Sequence, residues 1–170
     1  MIRFDQYILR ALEPDDLENL YQSENETSSY MNHEQFFSRF TLENYIQHAH
    51  LSLREAKQFR FAIAQKKHQK TAIGFLDLVD YCPIHHRVEL GIWISKTHQK
   101  RGIATQAIQA VLPYLKTHFE LHQVYAYVEN SNAISRHLFS QLGFESCGVL
   151  KDWRRIGSAW ESVILFQKML

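Results

Sequence analysis

Val88-Glu89-Leu90-Gly91-Ile92-Trp93-Ile94-Ser95 is followed, after Lys96 and Thr97, by His98-Gln99-Lys100-Arg101-Gly102-Ile103-Ala104-Thr105, and this stretch decides the fold. Its first half is an apolar run of strand length. From Gly102 to His118 the residues Ile103, Ala107, Ile108, Val111 and Leu115 form one stripe at helical spacing. Pro113 lies inside that pattern and is expected to kink the helix or end its first half. Val124 to Val128 is again a strand. Strand, helix and strand in that order make a parallel crossover, which chain twist makes right-handed.

Outward from this unit the chain reads as strand-rich. Tyr7 to Leu12 is a short first strand, and Pro14-Asp15-Asp16 opens a helix, with Pro near its first turn and acids at the positive dipole end. Between Glu34 and Lys57 the apolar residues Phe36, Phe37, Phe40, Tyr45, Ile46, Ala49 and Leu53 predict one or two amphipathic helices. Phe59–Ala64 and Thr71–Tyr81 form a hairpin around the polar turn Lys66–Lys70. Downstream, Asn132–Leu142 is a helix stopped by Gly143, with strands near Glu145–Leu150 and Trp160–Gln167. The expected class is α/β (α+β), with a long antiparallel part and one parallel crossover.

Bulk properties narrow the function. The 170 residues suit one domain, with no repeat and no evident linker. Lys+Arg at 19 against Asp+Glu at 18 leaves a net charge of +1, which offers no field for nucleic acid or an anionic membrane. No apolar run approaches the roughly 20 residues that span a bilayer, and Met1 to Asp5 lacks the pattern of a signal peptide. Cys82 and Cys147, far apart in sequence, read as free thiols of a reducing compartment, so a cytoplasmic location is expected.

The turn before the long helix suits a pyrophosphate. The first N–H groups of a helix have no internal partner and carry the positive end of the dipole. Gly102 and Ala104 keep side chains away from the backbone, while Lys100 and Arg101 add positive charge at the rim. A glycine at a helix start is also common in turns that bind nothing, and physics alone leaves both readings open.

The pattern Gln99-x-x-Gly102-x-Ala104 after such a strand resembles the acyl-CoA signature of the GCN5-related N-acetyltransferases (GNAT). Asn132-Ala133-Ile134-Ser135, followed by Leu138 to Glu145, is similar to that family's N-x-x-S helix ending in L-G-F. The likeness runs over Leu9–Leu12 and Arg87–Lys168. It is strongest to the branch holding polyamine and ribosomal-protein alanine acetyltransferases; Tyr21 to Lys57 matches only in helical character. The resemblance implies a mixed, splayed sheet of about seven strands flanked by four or so helices, with acetyl-CoA as co-substrate in the gap between the Glu89 and Tyr125 strands. It implies a bulge at Gly91, an oxyanion donor in the backbone near Ile94 and a pyrophosphate on backbone groups of Gln99, Lys100, Arg101, Gly102, Ile103, Ala104 and Thr105. Asn132, Ser135 and Phe139 would line the far side of the cofactor arm.

The implied chemistry is direct attack of a primary amine on a thioester. Glu89 is the candidate base, acting through water, against the alternative of a strand residue paired with Arg87 or His86. Where many members carry a Tyr in the L-G-F helix this chain has Phe139, which cannot donate a proton. Ser135, one turn earlier, is the candidate acid, or an ordinary hydrogen-bond donor to the cofactor. A glutamate that relatives place after L-G-F is absent; Asp152-Trp153-Arg154-Arg155 stands there. His85-His86 with Glu89 lacks further ligands, so no metal is expected. Trp93, Trp153 and Trp160 suit a pocket wall, a core or contacts in a homo-oligomer. The expected partner is a small cationic amine drawn by Glu89, Asp77, Asp80, Glu24, Glu26 and Glu34. A protein N-terminal amine, or a CoA-binding regulatory module without turnover, is the rival.

A test follows at the turn. Acetyl-CoA is expected to raise the melting temperature, and Gly102→Val to abolish that rise while leaving the unliganded fold intact, because a branched side chain would block a phosphate oxygen. Full protection in a folded Gly102→Val protein would remove the pyrophosphate assignment.

Overall fold

The computed structural model describes residues 1–31, 37–49, 55 and 58–170, with side chains from 26 to 31 left aside. One eight-stranded sheet runs in the order β1-β2-β3-β4-β5-β6-β8-β7. The strands are β1 Ile2–Phe4, β2 Tyr7–Arg10, β3 Phe59–Gln65, β4 His68–Cys82, β5 Arg87–Ile94, β6 Gln123–Glu129, β7 Glu145–Ile156 and β8 Ala159–Met169. Four helices accompany them among the described residues: α1 Leu17–Met31, α2 Arg39–His48, α3 Ile103–Phe119 and α4 Ala133–Gln141.

All neighbouring strands pair antiparallel except β5 and β6, which are parallel and joined through α3. The α3 stripe (Ile103, Ala107, Ile108, Val111 and Leu115) is fully buried against Val88, Leu90, Val124 and Ala126 on one face of the sheet. Gly143 carries φ +74 just past α4, the left-handed turn that a helix end asks of glycine. On the opposite face a second cluster joins Leu20 of α1 and Leu42 of α2 to Ala62, Ala72 and Phe75.

Two expectations are corrected. Of the two outcomes expected at Pro113, the helix does not end there: α3 continues to Phe119, and Gln109, whose carbonyl loses its usual partner to the proline ring, is exposed. The expected sheet of about seven strands has eight, Ile2–Phe4 adding an edge strand too short to show a period. The Lys66–Lys70 turn shrinks to Lys66-Lys67, since His68 already pairs with Gln65. Glu34, Phe36 and Leu53 of the predicted helical region lie outside the described residues.

The entry to α1 is fixed by a buried ion pair. Arg10 at the end of β2 reaches both carboxylate oxygens of Asp16, at 2.6 and 2.8 Å, and also donates to the carbonyls of Ala11 and Gln69. Asp16 is wholly buried and accepts the Glu13 N–H as well at 2.9 Å. Removing one partner strands a buried charge, which costs about 3–5 kcal/mol. Asp16→Ala is therefore expected to lower the stability measured by urea unfolding by about that amount, and a change below ~1 kcal/mol would show the pair to be dispensable.

Candidate active site

β5 and β6 are bonded only over Arg87↔Gln123, Val88↔Val124 and Glu89↔Tyr125, although β5 runs on to Ile94 and β6 to Glu129. Past Glu89 the two strands part, and each keeps its other neighbour: β5 stays on β4, β6 on β8. The cleft so formed opens toward the turn that leads into α3.

That turn is built from its own side chains. Gln99 Nε2 donates to the carbonyl of Ile94 at 2.9 Å, Arg101 donates to the carbonyl of Thr97 at 2.9 Å, and the His98 ring lies 2.8 Å from Ser95 Oγ. Burial, aided by the charge of Arg101, lowers the His98 pKa, so its ring is neutral at pH 7. Lys100 and Gly102 both adopt the left-handed region, at φ +60 and +72. Gly102 is the residue before α3, and the first bond of the helix runs from Gln106 N–H to the Gly102 carbonyl at 3.1 Å. The N–H groups of Ile103, Ala104 and Thr105 precede that bond and are the orphan donors of the helix start. Such a start, open on the glycine side, fits a pyrophosphate.

On the face shared with α1 and α2, Glu89 stands beside Tyr125 in register. Burial raises the Glu89 pKa; Arg154 opposes this and Asp80 adds to it. The alternative ion pair to Arg87 or His86 does not form. His86 bonds the Glu120 carbonyl, and Arg87 Nε is buried with no hydrogen-bond partner among the described residues. The bulge expected at Gly91 lies instead in β4: register is unbroken from Gly74↔Ile94 to Val79↔Glu89, then slips one residue before Cys82↔Arg87. Asp80 sits in that slip at φ +51, and Tyr125 reaches across β5 to donate its hydroxyl to it at 2.5 Å. Burial and that bond to Asp80 push the phenol pKa up, so the hydroxyl stays protonated.

Two arginines restrain the remaining acids. Arg60 of β3 grips both oxygens of Asp77, at 3.0 Å for the Nη2 bond, and also Glu24 of α1, with its guanidinium near the rings of Tyr45 and Phe75. Arg154 of β7 pairs with Glu129 of β6. Of the carboxylates expected to draw a cation, Asp77 and Glu24 are thus already paired, and Glu26 and Glu34 lie outside the described side chains. Sequence reading did not find these pairs. The Asp80 bulge was legible, because the buried positions Leu76 and Leu78 are followed by Tyr81, a step of three where a regular strand gives two.

Across the cleft, Asn132 Oδ1 caps α4 by accepting the Ser135 N–H at 3.0 Å. Ser135 is half-buried, whereas Phe139, on the same helix, is packed between Phe144 and Phe166 with 4% exposure. Trp93 stacks on Phe75 in the second cluster, and Trp153 and Trp160 are exposed. No helix among the described residues is long and apolar enough to cross a membrane.

This geometry agrees with what the chain is similar to. The acetyltransferase (GNAT) domain profile matches residues 6–145. A spermidine N(1)-acetyltransferase of Vibrio cholerae is 32% identical over 161 residues, covering 93% of this chain and 90% of the relative. The crystal structure of a V. cholerae spermidine N-acetyltransferase with CoA and spermine superposes with a TM-score of 0.84 at 29% identity, over 96% of this chain and 95% of that one. A dodecameric V. cholerae spermidine N-acetyltransferase gives 0.81 at 30% identity, over 96% and 94%. With the parted parallel strands, the glycine-led helix start and the capped α4 in place, the chain belongs to the GNAT family and is an acetyl-CoA-dependent N-acetyltransferase.

Proposed function

We propose that the acceptor is a small polyamine-type amine and that Glu89 is the base that accepts its proton. The observation that carries this reading is the charge left on the α1/α2 face beside the strand divergence. Of Glu24, Asp77, Asp80, Glu89 and Glu129, three are held by Arg60 or Arg154. Glu89 and Asp80 make no ion pair within 4 Å among the described residues; Glu89 is the last β5 residue paired with β6, and Asp80 is joined to that point through the Tyr125 hydroxyl. One carboxylate ~4 Å from an ammonium contributes up to ~4 kcal/mol at a surface-like effective dielectric, before desolvation. Two suffice for the micromolar to millimolar affinities typical of small substrates. The spermine-bound relative supports the same class of acceptor.

Acetyl-CoA supplies the activated acetyl group as its thioester. Gln99 through Thr105 would hold its pyrophosphate, Asn132 and Ser135 would flank its arm, and Phe139 would back that wall from the core. Glu89, partly desolvated, retains a proton-accepting carboxylate with a pKa nearer to neutrality than an exposed glutamate has, which suits a base. The backbone N–H at Ile94, where β5 ends, would donate to developing negative charge on the carbonyl oxygen. Phe139 offers no proton to the departing thiol; Ser135 is the hydroxyl on that helix face.

Thiol release measured over an amine panel tests the acceptor. Spermidine and spermine should turn over, with Michaelis constants that rise with ionic strength more than that of acetyl-CoA does. Turnover of an Ala- or Ser-initiated peptide with every polyamine inert would overturn the small-amine reading, and thermal protection by acetyl-CoA with no thiol release on any amine would mark a binding module. Glu89→Gln should lower kcat by about 100-fold near neutral pH. Because the base is needed only for amines that arrive protonated, the loss should shrink as pH rises; a pH-independent loss would leave Glu89 a structural residue.

A further inference from the structure

β7 leaves the register of β8 partway along. Leu150 pairs with Val163 and the next paired residue, Arg154, with Glu161, so four steps along β7 meet two along β8. The excess is taken up around Asp152, which adopts φ +49 and donates its N–H to Ser162 Oγ at 3.3 Å. A bulge re-aims the side chain beyond it. Arg154 is thereby brought onto the sheet face of Tyr125, Tyr127 and Glu89, where it bonds Glu129 at the end of β6. The two side chains are only 25% and 19% exposed, so bulk solvent screens them weakly. Glu161, opposite Arg154, accepts the Ser131 N–H at 2.8 Å and ties the hairpin to the turn that carries Asn132.

We propose that Arg154, aimed by the β7 bulge and restrained by Glu129, is a positioning residue for acetyl transfer that acts on Glu89 across the sheet face they share. The proposal rests on Glu89 as the base. Each element around Glu89 contributes a group. Asp80 approaches from β4; Tyr125 from β6 is neutral and bonded to Asp80; Arg87 lies two residues back on β5 itself. Glu24 of α1 and Asp77 of β4 are bonded to Arg60 of β3. Burial and Asp80 both favour the protonated carboxyl, and Arg154 is the charge that opposes them. Glu129 fixes the guanidinium and carries the opposite charge beside it. Removing one or the other charge should therefore move Glu89 in opposite directions.

Opposite signs make the test specific. The measurement is kcat/KM for spermidine against pH in the wild type, Arg154→Gln, Glu129→Gln and Arg155→Gln, each as a ratio to wild type so that titration of the amine cancels. Arg154→Gln should lose roughly 3- to 10-fold at the acid end and recover toward wild type at alkaline pH, as loss of a charge that favours the carboxylate implies. Glu129→Gln should gain at the acid end, and Arg155→Gln, with the same charge change on an exposed neighbour, should give a flat ratio. In parallel, carbon-13 NMR of the Glu89 side-chain carboxyl follows its titration directly, with Glu89→Gln for assignment. A Glu89 midpoint that does not respond to Arg154→Gln overturns the proposal. A midpoint that moves while the rate profile does not overturns Glu89 as the base. A pH-independent loss in Arg154→Gln, with an unmoved midpoint, reduces Arg154 to a strut of the hairpin.

Discussion

Most of this molecule is arranged around an unmet demand for hydrogen bonds. Past Glu89 and Tyr125, β5 and β6 no longer bond each other, yet both remain inside a sheet, where backbone N–H and C=O groups must find partners. An extended ligand with amide groups of its own can satisfy such edges in the manner of an added strand. Acetyl-CoA has an arm of that kind, and the start of α3 at the mouth of the same gap is where we propose its pyrophosphate binds. The face we propose for catalysis and the wall we propose for the cofactor both border this one divergence.

The two faces of the sheet carry different physics. Beneath α3 and α4 the side chains are aliphatic and aromatic, close-packed and uncharged, which gives the parallel pair a rigid base. Beneath α1 and α2 the apolar cluster is smaller and is bordered by the Arg60 triad, so this layer is joined to the sheet partly by charge. Charges there have low screening and act on one another across strands. Arg60 and Arg154 hold three acids in place, while Glu89 and Asp80 make no ion pair with an arginine among the described residues.

How much of this was legible in sequence depended on whether a residue's neighbours are near it in the chain. The α3 stripe, the glycine before it, the helix start near Asn132 and the stop at Gly143 are local signals, and each stands where its spacing put it. The β7 strand was read as six residues and runs from Glu145 to Ile156, because an edge strand exposed along nearly its whole length shows no alternation to read. The pairs Arg60–Asp77, Arg60–Glu24 and Arg154–Glu129 join residues 17, 36 and 25 positions apart, and nothing local announces them. Gly91 attracted the bulge assignment as the strand's one glycine, whereas the slip belongs to Asp80, whose short polar side chain tolerates the left-handed region.

Lys100 shows what the turn proposed to hold the pyrophosphate gives up. Its backbone, at φ +60, lies where glycine is at ease and a lysine costs about 1–2 kcal/mol, whether or not a ligand is present. A glycine there would relax the loop but would take away a cation beside the proposed phosphate site. The turn thus trades resting stability for electrostatic attraction toward its ligand. In an evolutionary drift experiment that rewarded only thermal endurance, position 100 would be among the first to move, and affinity for the nucleotide end of the cofactor would be the trait eroded.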